Sequence, residues 1–191
     1  MANNPLNTEL LDRAILFAVR AHAGTERRGK GFPYIVHPME AMEIVATMTL
    51  DQALLAAAVL HDTVEDTEVT VEQLRAEFGE RIATLVADES DELPQGVSEA
   101  DSWHDRKQAA IDRLAKASHD AKTVALGDKL SNMRAIARDY ATLGDALWDR
   151  FHAHDPKDHA WHYRGLADAL RELEDTFAFQ EFERLINQVF S

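Results

Sequence analysis

Apolar residues recur at three- and four-residue spacing along most of the chain, which is the period of an amphipathic helix. Leu10, Leu11, Ala14, Ile15, Phe17, Ala18 and Ala21 form the first such stripe, and a turn-rich stretch from Gly24 to Pro33 follows it. Met39–Met48 has the pattern of a second helix. Thr49 with Gln52, and Thr70 with Gln73, carry capping-box spacing, in which side chains satisfy backbone donors at a helix start. They predict helices over about 51–66, 70–77 and 80–88. Segment 88–101 holds six acids, no base, Pro94 and Gly96, and reads as a mobile acidic loop. Helical patterns resume over Ser102–Ser118 and Ala121–Tyr140, and a last helix is expected from about Trp161 to Phe190. No segment alternates convincingly, and no repeat is present. The expected fold is all-α: one orthogonal helical bundle over 1–191, with a core at about 10–140 and a helical extension at about 141–191.

Charge narrows the partners. The 34 Asp and Glu against 20 Lys and Arg give a net charge of −14. Such a surface repels nucleic-acid backbones and anionic membranes, so neither is an expected partner. The longest apolar run, Ala53–Leu60, is eight residues, far short of the ~20 that a membrane helix needs. No basic and apolar leader opens the chain, so a secretory signal is not expected. The absence of Cys excludes thiolate chemistry and fits a reducing cytoplasm. Oligomeric state has no signature.

The chemistry concentrates where charge enters an apolar setting. Ala53–Leu60 (ALLAAAVL) is apolar on every face and runs directly into His61, Asp62, Glu65 and Asp66. Four ionisable groups there are costly unless they are paired or hold a cation. With His61 at zero, Asp62 falls at about 100°, Glu65 at about 40° and Asp66 at about 140° around a helix, so all four share one arc. The other His-Asp pairs, at 104–105, 119–120 and 154–155, stand in polar, turn-like contexts and read as surface or capping residues. The tract His152, His154, His159 and His162 is likewise expected to face solvent. His37 precedes Pro38 at the entrance of the second helix, and Asp128 follows the apolar Val124–Leu126, with Asn132 one turn on. Two His and two Asp make a nitrogen–oxygen site suited to Mn²⁺ or Fe²⁺, with Zn²⁺ an alternative. Arg27, Arg28 and Lys30 place three bases within four residues of an acidic chain, a candidate phosphate- or base-binding loop.

These residues resemble the HD phosphohydrolase superfamily, with His37, His61-Asp62 and Asp128 in its metal-binding pattern. Three stretches are similar to the hydrolase domain of RelA/SpoT homologues, and to the stand-alone small alarmone hydrolases in particular: AHAGTERRGKGFPYIVHP (21–38), AAAVLHDTVEDT (56–67) and ALGDKLSNMR (125–134). ALWDRF and WHYRGL, within 146–166, look like the C-terminal part of small bacterial members. The similarity spans roughly 10–140 and implies a bundle of the HD-domain type.

The resemblance implies a Mn²⁺-dependent hydrolase of a small nucleotide, removing the 3′-pyrophosphate of guanosine tetra- and pentaphosphate. It assigns the metal to His37, His61, Asp62 and Asp128, catalysis to Glu65 and Asp66, and substrate contacts to Arg27, Arg28 and Asn132. The alternatives are a related phosphohydrolase of an adenosine alarmone, of the NADPH 2′-phosphate or of a nucleoside monophosphate, and a non-catalytic nucleotide sensor. Three departures bear on substrate preference. Arg28 stands where Lys is common, Ala87–Glu92 lacks a Thr-containing sequence, and Gly127 stands where Ala is usual. The last is expected to loosen the turn before Asp128. At this length a synthetase domain is not expected.

Overall fold

The computed structural model describes residues 7–89 and 103–191. Among the described residues ten α-helices follow one another: α1 (Glu9–Ala21), α2 (Val36–Ala46), α3 (Gln52–Leu60), α4 (Thr63–Asp66), α5 (Val71–Phe78), α6 (Glu80–Glu89), α7 (Trp103–Lys116), α8 (His119–Leu143), α9 (Pro156–Ala169) and α10 (Phe177–Val189). Among the described residues the extended pairing is a single bridge between Glu26 and Pro33. The all-α expectation is met. No helix of the described residues is long and apolar enough to cross a membrane.

The apolar pattern accounts for two adjoining cores. In the first, α3 is enclosed, with Leu54 to Leu60 all buried against Ala14 and Ala18 of α1, Val45 of α2 and Ile82, Leu85 and Val86 of α6. In the second, Leu126, Leu130 and Met133 of α8 pack with Trp148, Leu166 and Leu170 and with Phe179, Phe182 and Ile186 of α10. Helices α2 and α8 belong to both, since Ile44 and Val45 face opposite cores, as do Val124 and Ala125. The site lies along this shared pair.

Several local expectations are corrected. The α3 N-cap is Asp51, whose side chain accepts from Ala53 N, while Thr49 Oγ1, two residues earlier, accepts from Asp51 N. The Thr70–Gln73 capping box is formed as expected. The helix expected over 51–66 is interrupted at His61-Asp62, and Thr63 Oγ1 donates to Leu60 O across the break. The helix expected from Trp161 to Phe190 is two, because Thr176 caps a new start by accepting from Phe179 N. Before α9, Gly144–Arg150 forms a 3₁₀ segment that buries Leu147 and Trp148. Of the expected acidic loop, 88 and 89 end α6, and the remainder lies outside the described residues.

Gly127 does not loosen its turn. A Cβ built there would stand 2.7 Å from Ala41 O and 2.7 Å from Val45 Cγ2. The missing side chain is what allows α8 to approach the backbone of α2, and this sets His37 opposite Asp128.

Candidate metal centre and its cavity

The interruption after α3 aims the first two site residues. His61 keeps helical dihedrals as the α3 C-cap, and its Nδ1 donates to Ala58 O three residues back at 2.8 Å. A carbonyl only accepts, so that nitrogen carries the proton and Nε2 is turned to the cavity. Asp62 follows as the N-cap of α4, and Asp66 N bonds back to Asp62 O at 2.9 Å. His37 enters from the first turn of α2, and Asp128 from the middle of α8.

His37, His61 and Asp128 each offer one ligand atom, all within 4.8 Å of one another, and all three residues are buried. His37 Nε2 lies 3.1 Å from Asp128 Oδ1 and 3.3 Å from Asp62 Oδ2. His61 Nε2 lies 2.9 Å from Asp62 Oδ2 and 3.4 Å from Asp128 Oδ1. These approaches do not satisfy the ring: His61 Nε2 is buried without a hydrogen-bond partner. A buried polar atom in that state is expensive. A divalent cation fits the donor set, because two imidazole nitrogens and the carboxylate oxygens would then share one positive centre.

The electrostatics show the same demand. Burial opposes charging His61, yet Asp62 and then Asp128 more than offset it, so its pKa stands well above the ordinary value. Burial opposes charging Asp128, but Lys129 and the two rings hold its pKa well below the usual carboxylate range. The cage therefore draws positive charge to itself. Tyr34, whose pKa burial and then Asp62 raise, keeps its proton and donates to Asp62 Oδ2 at 2.7 Å.

Above the cage opens a cavity of about 890 Å³, lined on one side by Glu65 and Asp66, both exposed. Arg27 reaches it from the loop before α2. Its Nη2 donates to Asn132 Oδ1 at 2.5 Å, and Asn132 Nδ2 donates to Asp128 Oδ1 at 2.6 Å. Gly29 and Gly31, with φ of 69° and 72°, turn the loop tip, and Lys30 pins it to Asp139 of α8. Arg28 is exposed and does not line the cavity. The structure thus brings together all the sequence-derived site residues except Arg28.

Other lining residues had escaped the sequence reading. Lys129 Nζ lies 2.6 Å from Asp128 Oδ2 and 3.2 Å from Glu89 Oε2. Lys107, Arg113 and Lys116 of α7 also line the cavity, and their recurrence on one helix is a visible signal. His159 and His162 also line the cavity, which corrects the expectation of a solvent-facing tract. His159 is 5% exposed and donates from Nε2 to Ala153 O at 2.8 Å. His152 and His154 are exposed as expected.

Residues 14–155 match the family described as the HD domain. The chain belongs to the HD domain family. Relatives of this HD-domain protein include the guanosine-3′,5′-bis(diphosphate) 3′-pyrophosphohydrolase of Vibrio cholerae, 38% identical over 136 residues, which are 67% of this chain and 18% of that protein. The zebrafish (Danio rerio) enzyme of the same name, MESH1, is 34% identical over 140 residues, 71% of this chain and 73% of its own length. A solved structure described as a metazoan ortholog of SpoT that hydrolyzes ppGpp superposes with a TM-score of 0.77 at 22% identity, covering 96% of this chain and 97% of that one. The chain spans less than a fifth of the Vibrio cholerae relative. The shared fold covers 96% of this chain, more than the 14–155 of the family match.

Proposed function

We propose that this HD-domain protein is a Mn²⁺-dependent pyrophosphohydrolase that removes the 3′-pyrophosphate of guanosine tetra- and pentaphosphate, with His37, His61, Asp62 and Asp128 as metal ligands. The observation that carries the reading is the buried His61 Nε2, which faces two carboxylates without a hydrogen bond, beneath a cation-lined cavity. The names of the Vibrio cholerae and zebrafish relatives supply the substrate. A cation held there would lower the pKa of a water and polarise a phosphoryl oxygen.

The chain's own groups do the rest. Arg27 and Asn132, already joined to each other and to Asp128, bring a phosphoryl group to the cage. Lys107, Arg113 and Lys116, which line the same cavity, offset further phosphate charge, which a surface of net charge −14 would otherwise repel. Glu65 and Asp66 orient the attacking water and take its proton. The bond broken joins the 3′ oxygen to phosphorus, giving GDP or GTP and pyrophosphate. One hydrolase unit over 1–191 serves this chemistry, because α9 closes a wall of the same cavity through His159, His162 and Tyr163.

The test is product analysis on metal-stripped protein, with guanosine tetraphosphate, its adenosine counterpart, NADPH and GMP supplied in turn, before and after Mn²⁺ is added. GDP and pyrophosphate released from the tetraphosphate only with Mn²⁺ is the expected result. Preferred turnover of another nucleotide would reassign the substrate, and binding without turnover would make the protein a sensor.

A further inference from the structure

His61 and His37 differ in what holds the ring nitrogen away from the cage. For His61 the partner is a backbone carbonyl of its own helix. For His37 it is a hydroxyl, since Nδ1 lies 2.8 Å from Ser131 Oγ, a residue of α8 that is 1% exposed. A hydroxyl can donate or accept, so by itself it does not fix which imidazole nitrogen carries hydrogen. The next group does. Ser131 Oγ lies 2.7 Å from Glu40 Oε2, and a carboxylate only accepts. The hydroxyl hydrogen is therefore committed to Glu40, and Ser131 Oγ is left to accept from His37 Nδ1–H. The direction is set one step further out. Glu40 Oε1 faces Arg134 Nη1 at 3.4 Å and Arg138 Nη1 at 3.8 Å. Arg134 is in turn gripped by Glu181 of α10 through two bonds of 2.9 and 2.7 Å.

We infer that Ser131 and Glu40 are positioning residues: they hold His37 in the tautomer whose Nε2 lone pair points into the cage, and so set its affinity for a divalent cation. This rests on the metal reading above. Partners of this kind, behind a ligand, typically change metal affinity by about 10–100-fold when removed. The relay ties the cage to the last helix, because Glu40 belongs to α2, Ser131 and Arg134 to α8, and Glu181 to α10.

Glu40→Gln separates positioning from mere support. Its amide keeps the size and both contacts, but the two guanidinium groups attract its oxygen. That turns the amide NH₂ toward Ser131, which reverses the relay: Ser131 then donates to His37 Nδ1, and the ring hydrogen moves to Nε2. The experiment measures Mn²⁺ affinity, by competition with a chelator, for the wild type, Ser131→Ala, Glu40→Gln and His61→Ala, with the melting temperature of each metal-free protein. The ¹⁵N imidazole spectrum of the metal-free wild type reports whether His37 Nδ1 carries hydrogen. The expected result is a protonated Nδ1 and binding about 10–100-fold weaker in both relay variants. Wild-type Mn²⁺ affinity in Ser131→Ala and Glu40→Gln, whatever their melting temperatures, would overturn the inference, as would a bare His37 Nδ1. The metal reading fails by a different result: no Mn²⁺ binding by the wild type, or equal binding by His61→Ala. In that case the ¹⁵N spectrum still decides the relay.

Discussion

At the end of α3, His61 is oriented by its own helix turn, through a carbonyl three residues back. At the start of α2, His37 is oriented by a side chain 94 residues away, whose own partner lies 91 residues off. The two rings meet with centroids 5.0 Å apart and nearly perpendicular planes, at 81°. One half of the cage is thus formed by local chain geometry, and the other exists only once α2 and α8 have packed. The local half should survive disturbances of helix packing that dismantle the other. The contrast also locates the sensitive point, which is the close crossing at Gly127, one residue from Asp128.

The largest effects are expected from removing a ligand on either side. His61→Ala and Asp128→Ala should each abolish Mn²⁺ binding, read by elemental analysis, and reduce turnover to background. The metal should also compete with a proton on the local side. Because the His61 pKa is raised in the folded protein, its imidazolium stabilises the metal-free state fully below about pH 6.5, and that stabilisation is lost as pH rises through the raised value. Mn²⁺ affinity should therefore increase with pH, with protons released on binding. Affinity that does not change across the neutral range would argue against His61 as a ligand.

Glu65→Gln and Asp66→Asn should keep Mn²⁺ while losing about 10²–10⁴ in turnover, as expected for groups that orient water and accept its proton. Loss of metal in either variant would move that carboxylate into the cage. Next in size is the loop. Arg27→Ala removes a charged hydrogen bond worth about 1.5–3 kcal/mol, so it should weaken tetraphosphate binding about 10–100-fold. Arg28→Ala, on an exposed side chain, should cost less than about fivefold.

The crossing itself is probed by stability. Gly127→Ala places a methyl group against the Ala41 carbonyl, and overpacking of this kind costs about 1–3 kcal/mol. The helix-propensity gain of about 1 kcal/mol offsets part of that. Thermal melting should report the net loss at about 2–4 °C per kcal/mol. Gly165→Ala is the control, because its Cβ would meet Ile111 Cδ1, a flexible chain end, at 2.6 Å. Equal losses at the two glycines would contradict a special role for the α2–α8 crossing.

What was legible in the sequence follows the same division. The His61-Asp62 site could be read because its signal is contiguous: an apolar helix that ends in charge. The helical period likewise gave the fold class and most helix positions. The relay of Ser131 and Glu40 could not be read, since neither residue is unusual on its own helix and only packing joins them. Arg27 and Arg28 looked alike in sequence, and only the turn at Gly29 and Gly31 distinguishes the arginine that faces the cavity from the one that faces solvent. The tract at 152–162 was misjudged at His159 because nothing local marks Trp148, whose ring stacks on it at 5.0 Å. The break at Thr176 was hidden by the strong apolar period on both sides of it.

The most direct test of the central claim is anomalous diffraction from crystals of the protein grown with Mn²⁺. The account predicts one strong peak within bonding distance of His37 Nε2, His61 Nε2 and carboxylate oxygens of Asp62 and Asp128. A cage with no peak, or Mn²⁺ bound only elsewhere, would contradict it.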